Sequence, residues 1–329
     1  MKVPHIIGAD LSKKTIDFAT CQRAHLKVSN DPSGFNELLK WLKKQNINYP
    51  EMMIVMEHTG LYSYRLTQFL HKHQIPFTKV SALAIKRSIG LVRGKNDKID
   101  AIRIARFGFE KQDHLAADQP VSKAMERLQM LHSTRARLVK HRAALDTAVQ
   151  EYQYNCGLKN DDVIIASHLK LIKQFDGQIA KVEEEIAGIV ESEKDIKSNF
   201  MLLQSVKAVG KVVAMAAIVK TGNFTLFTEA RKFACYSGIA PFENSSGTSL
   251  RGKTKVSHLA DKEMKTLLDL AARSAIEYDK ELREYYLRRM AAGKSKKSTR
   301  NIIRNKILFR MFAVIKRQTP FVPNYLLTA

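Results

Sequence analysis

Cysteine is scarce in this sequence, and its positions lie far apart. The 329 residues contain three, Cys21, Cys156 and Cys235, and no two of them form a CxxC pair. A disulfide framework or a zinc cluster requires several thiols at close spacing, so the sequence excludes both as the basis of the fold. Isolated cysteines are typical of a reducing compartment, and we therefore expect a cytoplasmic protein.

Long apolar runs are also missing. The longest is VVAMAAIV at 212–219, and the apolar run that follows Lys2 is interrupted by Asp10. A membrane helix requires roughly 20 apolar residues, and a signal peptide requires an unbroken apolar segment behind its basic start. The sequence accordingly predicts neither a secretion signal nor a membrane partner.

Negative charge is in short supply. The chain has 32 acidic residues against 55 lysines and arginines, a formal net charge of +23. The excess is uneven: residues 1–120 carry +8, residues 121–198 carry zero, and residues 199–329 carry +15. A polyanionic partner, nucleic acid above all, accounts for such an excess, and the alternative is a protein that is basic only for solubility.

The N-terminal segment alternates between strand and helix patterns. Three short apolar or alternating segments with short turns between them predict an antiparallel meander, and two further strands each follow a helical pattern. The strand patterns are HIIGAD (5–10), TIDFAT (15–20), AHLKVSN (24–30), MMIVME (52–57) and PFTKVSA (76–82), and the helical patterns are GFNELLKWLKK (34–44) and HTGLYSYRLTQFLHKH (58–73). This order of elements is that of the ribonuclease H-like fold.

Four acids stand at ends of these elements. Asp10 closes the first strand and Glu57 the fourth, while Asp97 and Asp100 are three residues apart in GKNDKIDAIRIA and share one face of a predicted helix. Carboxylates at the ends of central strands are costly unless a cation is bound there, and Mg²⁺ prefers such oxygen ligands. Two such ions can hold a phosphodiester for cleavage.

A simpler interpretation of the same acids is structural. It makes Asp97 a helix N-cap, Asp100 a first-turn acid, and Asp10 and Glu57 ordinary loop residues. The coincidence of four such positions in one fold favours a metal site. Two lysines in the same segment, Lys95 and Lys98, would then contact the phosphate that the metal holds.

The middle of the chain predicts a hairpin of two long helices. Seven-residue spacing runs through 121–155 and again through 165–190, and a polar, glycine-containing segment at 154–162 separates the two. Arg135 and Arg142 interrupt the first apolar seam, which limits how strong a coiled-coil dimer could be. The zero net charge fits a contact with another protein, and packing within one chain explains it equally well.

The last third predicts a mainly helical domain with a serine in a polar loop. A helix–turn–helix pattern surrounds Gly210, a helix covers 229–237, and the loop ENSSG (243–247) follows. Three cations come after that loop and would neutralise a phosphate there: Arg251, Lys253 and Lys255. Glu243 and His258 are the nearby candidates for a base that activates the serine. Taken without further information, such a serine is an ordinary loop residue.

The C-terminal tail, over 262–290 and 294–317, is predicted to be helical and is very basic. Its cations predict a surface that follows a phosphate backbone, and the alternative is a solvated helix face. The residues assigned to nucleic-acid binding here are Arg288, Arg289, Lys296, Lys297, Arg300 and Arg304.

Several of these segments resemble a known family. GADLSKKT around Asp10, MEHTGLYSYRL around Glu57 and GKNDKIDA with Asp97 and Asp100 are similar to the DEDD transposases of bacterial insertion sequences, insertion-sequence family 110, with their Piv/MooV invertase relatives. The likeness extends into the C-terminal third. It implies a RuvC-like domain whose four acids are catalytic and bind Mg²⁺ or Mn²⁺.

The resemblance also assigns a role to the serine. The family's essential serine lies in an SG motif, which Ser246 matches here, although Ser245 is adjacent and stays open as an alternative. The sequence departs from the family pattern at Gly210, where a second glycine is usual, and at Lys255, where a lysine–glycine pair is usual.

The activity implied is that of a transposase or site-specific recombinase. Ser246 would form a covalent link with DNA at the element ends and the target, a non-coding bridge RNA would guide it, and a homodimer or homotetramer would assemble. A nucleoid-associated location in a bacterial cytoplasm follows. Two alternatives remain: a RuvC-like metal-dependent nuclease or Holliday-junction resolvase that uses water, and a nucleic-acid-binding protein without chemistry.

The predicted architecture is α/β plus all-α in three domains. They are a ribonuclease H-like (RuvC-like) domain at 1–118, a central antiparallel helical coiled hairpin at 119–198, and a mainly helical transposase domain at 199–329.

Overall fold

The chain divides into two units at Pro120 and Val121. The computed structural model describes residues 5–88, 90, 96–246 and 250–323. The hairpin and the C-terminal helices fall together in the second unit. The further division at 198 and 199 stays a prediction.

The first unit is built on a mixed sheet of five strands. The strands are β1 (His5–Leu11), β2 (Thr15–Thr20), β3 (His25–Ser29), β4 (Met52–Glu57) and β5 (Phe77–Val80). Their order in the sheet is β3-β2-β1-β4-β5, with β1, β2 and β3 antiparallel and β4 and β5 parallel to β1. Parallel neighbours require helical crossovers, which the chain supplies. The predicted meander and the ribonuclease H-like order are confirmed.

In the described part of the first unit, four α-helices accompany the sheet: α1 (Pro32–Lys44), α2 (Tyr64–Lys72), α3 (Ala82–Ser88) and α4 (Asp97–Lys111). Asp31 caps α1 by accepting hydrogen bonds from the amides of Ser33 and Gly34. The helix predicted from residue 58 begins only at Tyr64, because Gly60 takes a left-handed conformation with φ +64° and starts a short 3₁₀ turn.

Helix α4 lies directly against the central strand. A Cβ atom added to Gly8 would stand 2.1 Å from the carbonyl oxygen of Ala101 and 2.3 Å from the amide nitrogen of Ala105. Only a glycine permits this approach, because any larger residue would collide with the helix backbone. The first turn of α4 is therefore held near the end of β1.

The second unit begins with the predicted helical hairpin. Helix α5 (Lys123–Cys156) and helix α6 (Val163–Ser192) are capped by Ser122 and Asp162, whose side chains accept amide hydrogen bonds. Gly157, with φ +66°, ends α5.

The seam arginines of the hairpin form ion pairs across it. Arg135 Nε lies 2.6 Å from Glu183, and Arg142 Nε lies 3.0 Å from Asp176. The arginines that interrupt the apolar seam thus each meet an acid on α6. Such pairs cannot be predicted from sequence periodicity, because periodicity records the spacing of apolar residues within one helix. It does not record which charged residues of two helices face one another.

The rest of the unit is a helical bundle with one two-stranded hairpin. Its elements are α7 (Lys194–Ser205), α8 (Lys211–Thr221), α9 (Ala230–Tyr236), β6 (Pro241–Ser246), β7 (Leu250–Val256), α10 (Lys262–Tyr278), α11 (Lys280–Ala291) and α12 (Lys296–Arg317). Helix α8 is buried on most of its surface, and the hydrophobic core around it includes the base of the α5–α6 hairpin. Among the described residues, no helix has an apolar stretch long enough to cross a bilayer.

The loop predicted at 243–247 is wrong for residues 243–246, which belong to strand β6. The strand was missed because its polar residues show no apolar–polar alternation. Its start, Pro241–Glu243, is exposed, so no buried face imposes that pattern on the described part.

Candidate functional site

Two of the four predicted acids are brought side by side by parallel pairing. Ala9 of β1 is in register with Met56 of β4, so Asp10 and Glu57 follow on adjacent strands at the same edge. The carboxyl ends of adjacent strands are where open α/β sheets usually bind ligands. Both side chains are partly buried there.

The other two acids lie in the first turn of α4. Asn96 is the N-cap of this helix, and its side chain accepts a hydrogen bond of 2.8 Å from the amide of Ile99. The structural alternative that made Asp97 the cap is therefore wrong. Since Asn96 satisfies the helix end, the carboxylates of Asp97 and Asp100 are left for other contacts.

The electrostatics of Asp10 show that these acids act on one another. Burial is the largest cause that raises its pKa, to about 6, and the negative charges of Asp100, Asp97, Asp17 and Glu57 add to it in that order. All three of the other predicted acids thus lie close enough to disfavour the ionised form of Asp10. One further acid, Asp17, was not among the predicted site residues.

Two cations partly compensate this charge. Arg103 donates a hydrogen bond of 2.7 Å to Asp100, and Lys27 Nζ lies 3.5 Å from Asp97 Oδ2. Across the described part of the chain, no three His, Cys, Asp or Glu side chains stand close enough to hold a metal ion as they are. The donors nevertheless fit a hard cation such as Mg²⁺, since all are carboxylates and their mutual repulsion is what a dication relieves.

Of the two lysines predicted to contact phosphate beside these acids, only Lys98 lies among the described residues. Lys98 is exposed in the first turn of α4. Lys95 lies outside the described residues. Their contact with phosphate stays a prediction.

The predicted nucleophile lies at the end of a β-hairpin. Ser246 is the last residue of β6 and is paired with Leu250, and Ser245 is paired with Arg251. Gly247 and the side chains of Ser245, Ser246, Arg251 and Lys253 are outside the described part. Lys255, on β7, is exposed, and so are Glu243 and His258.

A polar network that the sequence did not reveal joins both flanks of this hairpin. Lys220 Nζ lies 2.8 Å from Asp261 Oδ2 and 3.0 Å from Glu263, and the Tyr236 hydroxyl donates a hydrogen bond of 3.1 Å to Asp261. His132 Nε2 lies 3.0 Å from Glu263 as well. The partners are up to 131 positions apart, so no local pattern could have indicated them.

This network shifts three pKa values. The pKa of Glu263 is lowered to about 2. The hydrogen bond with His132 is the largest cause, the contact with Lys220 adds to it, and burial acts in the opposite direction. Burial disfavours the charge on Lys220, but hydrogen bonds to Asp261 and Glu263 outweigh it and raise the pKa to about 12. Burial, followed by the charge of Asp261, raises the pKa of Tyr236 to about 12. At neutral pH Glu263 and Lys220 are therefore charged and paired, whereas Tyr236 keeps its hydroxyl proton.

The basic tail contains both paired and exposed cations. Arg300 and Arg304 both contact Asp269 of α10, Arg304 Nε at 3.0 Å. Arg288 is exposed, with its guanidinium 5.7 Å from the ring centre of Tyr285. Arg289 is partly buried, and Lys296 and Lys297 are exposed. The role of all six in nucleic-acid binding stays a prediction, and two of them already have a structural partner.

Comparison with known families covers both units. Residues 7–152 match the DEDD transposase model of the IS110 group, described as a transposase. Residues 201–287 match a second model, described as a transposase of the IS116/IS110/IS902 family. The first match contains the four predicted acids, and the second contains the β6–β7 hairpin with Ser246. Together the two matches cover more than half of the chain.

Three relatives agree with these models. The pilin gene-inverting protein of Moraxella bovis is 27% identical over 96% of this chain and 97% of its own length, and that of Moraxella lacunata is 26% identical over the same shares. An IS110 insertion-element protein of Streptomyces coelicolor is 28% identical over 41% of this chain and 32% of its own length. With its ribonuclease H-like sheet and these two matched regions, the chain belongs to the IS110 family of transposases.

Proposed function

We propose that this transposase cuts and rejoins DNA through a covalent link between Ser246 and a DNA phosphate, with Mg²⁺ or Mn²⁺ at the four acids. The observation that carries the proposal is the placement of Asp10 and Glu57 at adjacent strand ends, with Asp97 and Asp100 of α4 close enough to raise the pKa of Asp10. Such a gathering of like charge is costly without a bound cation. The charge on a reacting phosphate requires the same neutralisation.

The serine step conserves the energy of the DNA bond. The hydroxyl oxygen of Ser246 bonds to phosphorus, and the bond from phosphorus to one sugar oxygen breaks. That oxygen leaves with the electron pair and takes up a proton. Attack by a sugar hydroxyl of another DNA end reverses the step and frees the serine. A divalent cation held by Asp10, Glu57, Asp97 and Asp100 would supply positive charge to the reacting phosphate.

The partners proposed are two DNA sites, a guide RNA and further copies of the chain. The names of the Moraxella relatives say that those proteins invert pilin genes, which supports recombination between two DNA sites here. The charge of +15 over residues 199–329 suits RNA as well as DNA. The α5–α6 hairpin is the proposed contact in a dimer or tetramer. A cytoplasmic, nucleoid-associated location is consistent with these partners.

A trapped protein–DNA adduct tests the serine mechanism. The purified chain and the proposed guide RNA are incubated with labelled DNA from the element ends and Mg²⁺, then denatured and separated by electrophoresis. We expect an adduct that Ser246→Ala abolishes and that the adjacent variant Ser245→Ala retains. If Ser245→Ala alone removes the adduct, the neighbouring serine is the nucleophile.

A nuclease that uses water is the second candidate. It is favoured by the fact that all four acids belong to the first unit, whereas Ser246 belongs to the second. This candidate predicts that Ser246→Ala keeps full Mg²⁺-dependent DNA cleavage and that the wild type forms no adduct. Both outcomes together would replace the serine mechanism.

A further inference from the structure

Three charged residues form a row across the sheet beside the acidic site. Asp10 of β1 is in register with Asp17 of β2, and Asp17 is in register with Lys27 of β3. Residues directly opposite one another on neighbouring strands project from the same face of a sheet. Asp17 and Lys27 therefore extend the face that carries Asp10 over two more strands.

Asp17 is a buried carboxylate with two basic partners. It is 3% exposed, His25 Nε2 lies 2.7 Å from its Oδ1, and Lys27 Nζ lies 3.4 Å from its Oδ2. A buried carboxylate is costly unless it is paired, so Asp17 and its partners constrain one another. This contact holds the ammonium end of Lys27 beside Asp17.

Lys27 also reaches the acidic site itself. Its Nζ lies 3.5 Å from Asp97 Oδ2, so one ammonium group bridges a buried acid of the sheet and a predicted metal ligand of α4. The side chains of Lys27 and Asp97 are 52% and 60% exposed. An ion pair this exposed contributes little to stability and is easily exchanged for another.

We propose that Lys27 is a phosphate-contacting residue of the acidic site, oriented by Asp17. Without a divalent cation it neutralises Asp97. When a cation occupies the acids, Lys27 turns to the phosphate of the bound nucleic acid. The proposal rests on the metal role proposed for the acids, and the four-acid motif includes neither Lys27 nor Asp17.

The proposal predicts that loss of the Lys27 ammonium group strengthens metal binding and weakens DNA binding. The full chain is titrated with Mn²⁺ alone, and Lys27→Met is expected to bind it severalfold more tightly because a competing cation is gone. In a separate titration, Ca²⁺ replaces Mg²⁺ and the DNA is a labelled duplex from the element end. Here Lys27→Met is expected to bind more weakly, and the slope of log affinity against log salt should fall by about one, the loss of one phosphate contact.

Matched variants separate this role from folding. Lys27→Arg should behave like the wild type in both titrations, and Lys43→Met, which removes an exposed lysine in the last turn of α1, should keep wild-type metal affinity. Asp17→Asn, which leaves Lys27 unanchored, should weaken DNA binding in the same direction as Lys27→Met. A folding defect would weaken both Mn²⁺ and DNA binding, and this result overturns the proposal.

If the slope of log DNA affinity against log salt is unchanged in Lys27→Met, the proposal about Lys27 is also overturned. Substituting single-stranded RNA for the duplex shows which nucleic acid supplies the phosphate. The covalent adduct of Ser246 is measured on the same preparations. If Lys27→Met binds Mn²⁺ and DNA as the wild type does while the adduct still forms, only the inference about Lys27 fails. If Mn²⁺ does not bind to the wild type at all, the metal role of the acids fails with it.

Discussion

Two partly buried carboxylates in this protein have pKa values shifted in opposite directions. Burial and four other acids raise that of Asp10 to about 6, whereas His132 and Lys220 hold that of Glu263 at about 2. Glu263 has the partners that a stabilising ion pair requires. Asp10 is surrounded by charge of its own sign, an arrangement that costs stability and is typical of functional sites.

The two units differ in how their acidic residues are compensated. In the N-terminal unit, Asp10 faces four other acids, and the described cations Lys27 and Arg103 compensate three of those only in part. In the C-terminal unit, Asp261, Glu263 and Asp269 each contact lysine or arginine within 3.5 Å. Substitutions in the first group should mainly change activity, and substitutions in the second should mainly change stability.

The largest effect is expected for Asp10→Asn. Recombination and adduct formation should fall by roughly 100-fold or more, because a charge that acts in the transition state is lost. The midpoint of thermal unfolding should stay the same or rise, since one member of a repelling group is removed. Recombination assays and calorimetry on one preparation measure both. A fall in stability that matches the loss of activity would contradict the comparison.

The next largest effect is expected for Gly8→Ala. The added methyl group would meet the backbone of α4 at Ala101 and Ala105, so the helix that carries Asp97 and Asp100 must shift. Overpacking of this kind costs about 1–3 kcal/mol. Denaturant unfolding should show that loss, and Mn²⁺ affinity should fall with it.

Gly177→Ala on α6 is the matched control for this substitution. A Cβ atom there meets nothing within 4 Å, and alanine favours a helix. The control should therefore stabilise the protein by about 0.5–1 kcal/mol and leave Mn²⁺ affinity unchanged. If Gly8→Ala and Gly177→Ala destabilise the protein equally, close packing of α4 against Gly8 is not the cause of the effect.

A smaller effect is expected for Glu263→Gln, and it should depend on pH. The pKa of Glu263 is lowered in the folded state from 4.5 to about 2, so its contribution is present above pH 4.5 and is lost as the pH falls through 2. Because the side chain is 34% exposed, solvent screening reduces the contribution to about 1–2 kcal/mol. Unfolding free energies measured from pH 7 to pH 2 should converge for wild type and variant at the acid end.

The smallest effect is expected in the α5–α6 hairpin. Arg135 and Glu183 lie 2.6 Å apart, with 20% and 48% of their side chains exposed. A double-mutant cycle with Arg135→Ala and Glu183→Ala should give a coupling of below about 1 kcal/mol, typical of exposed pairs. Activity should be unchanged. A coupling several times larger would mean that the hairpin depends on its ion pairs and not on its apolar seam.

Much of the first unit could be predicted because its signals are local. Alternation in TIDFAT predicts β2 at its observed bounds, and MMIVME does the same for β4. The start of α2 was misplaced because Gly60 diverts the backbone, and apolar spacing does not record that diversion. The hairpin of β6 and β7 was missed because a polar strand lacks an apolar face to alternate with.

The amino-acid sequence by itself determined most elements of this protein, its excess of positive charge and the four acids predicted as metal ligands, since these depend on neighbouring residues and composition. Only the tertiary structure decided which charges meet. Strand register places Asp17 and Lys27 beside the acidic site. Helix packing brings Glu263 into contact with Lys220 and His132. Electrostatic energy depends on distance in space, and residues far apart in the chain come within that distance only after folding.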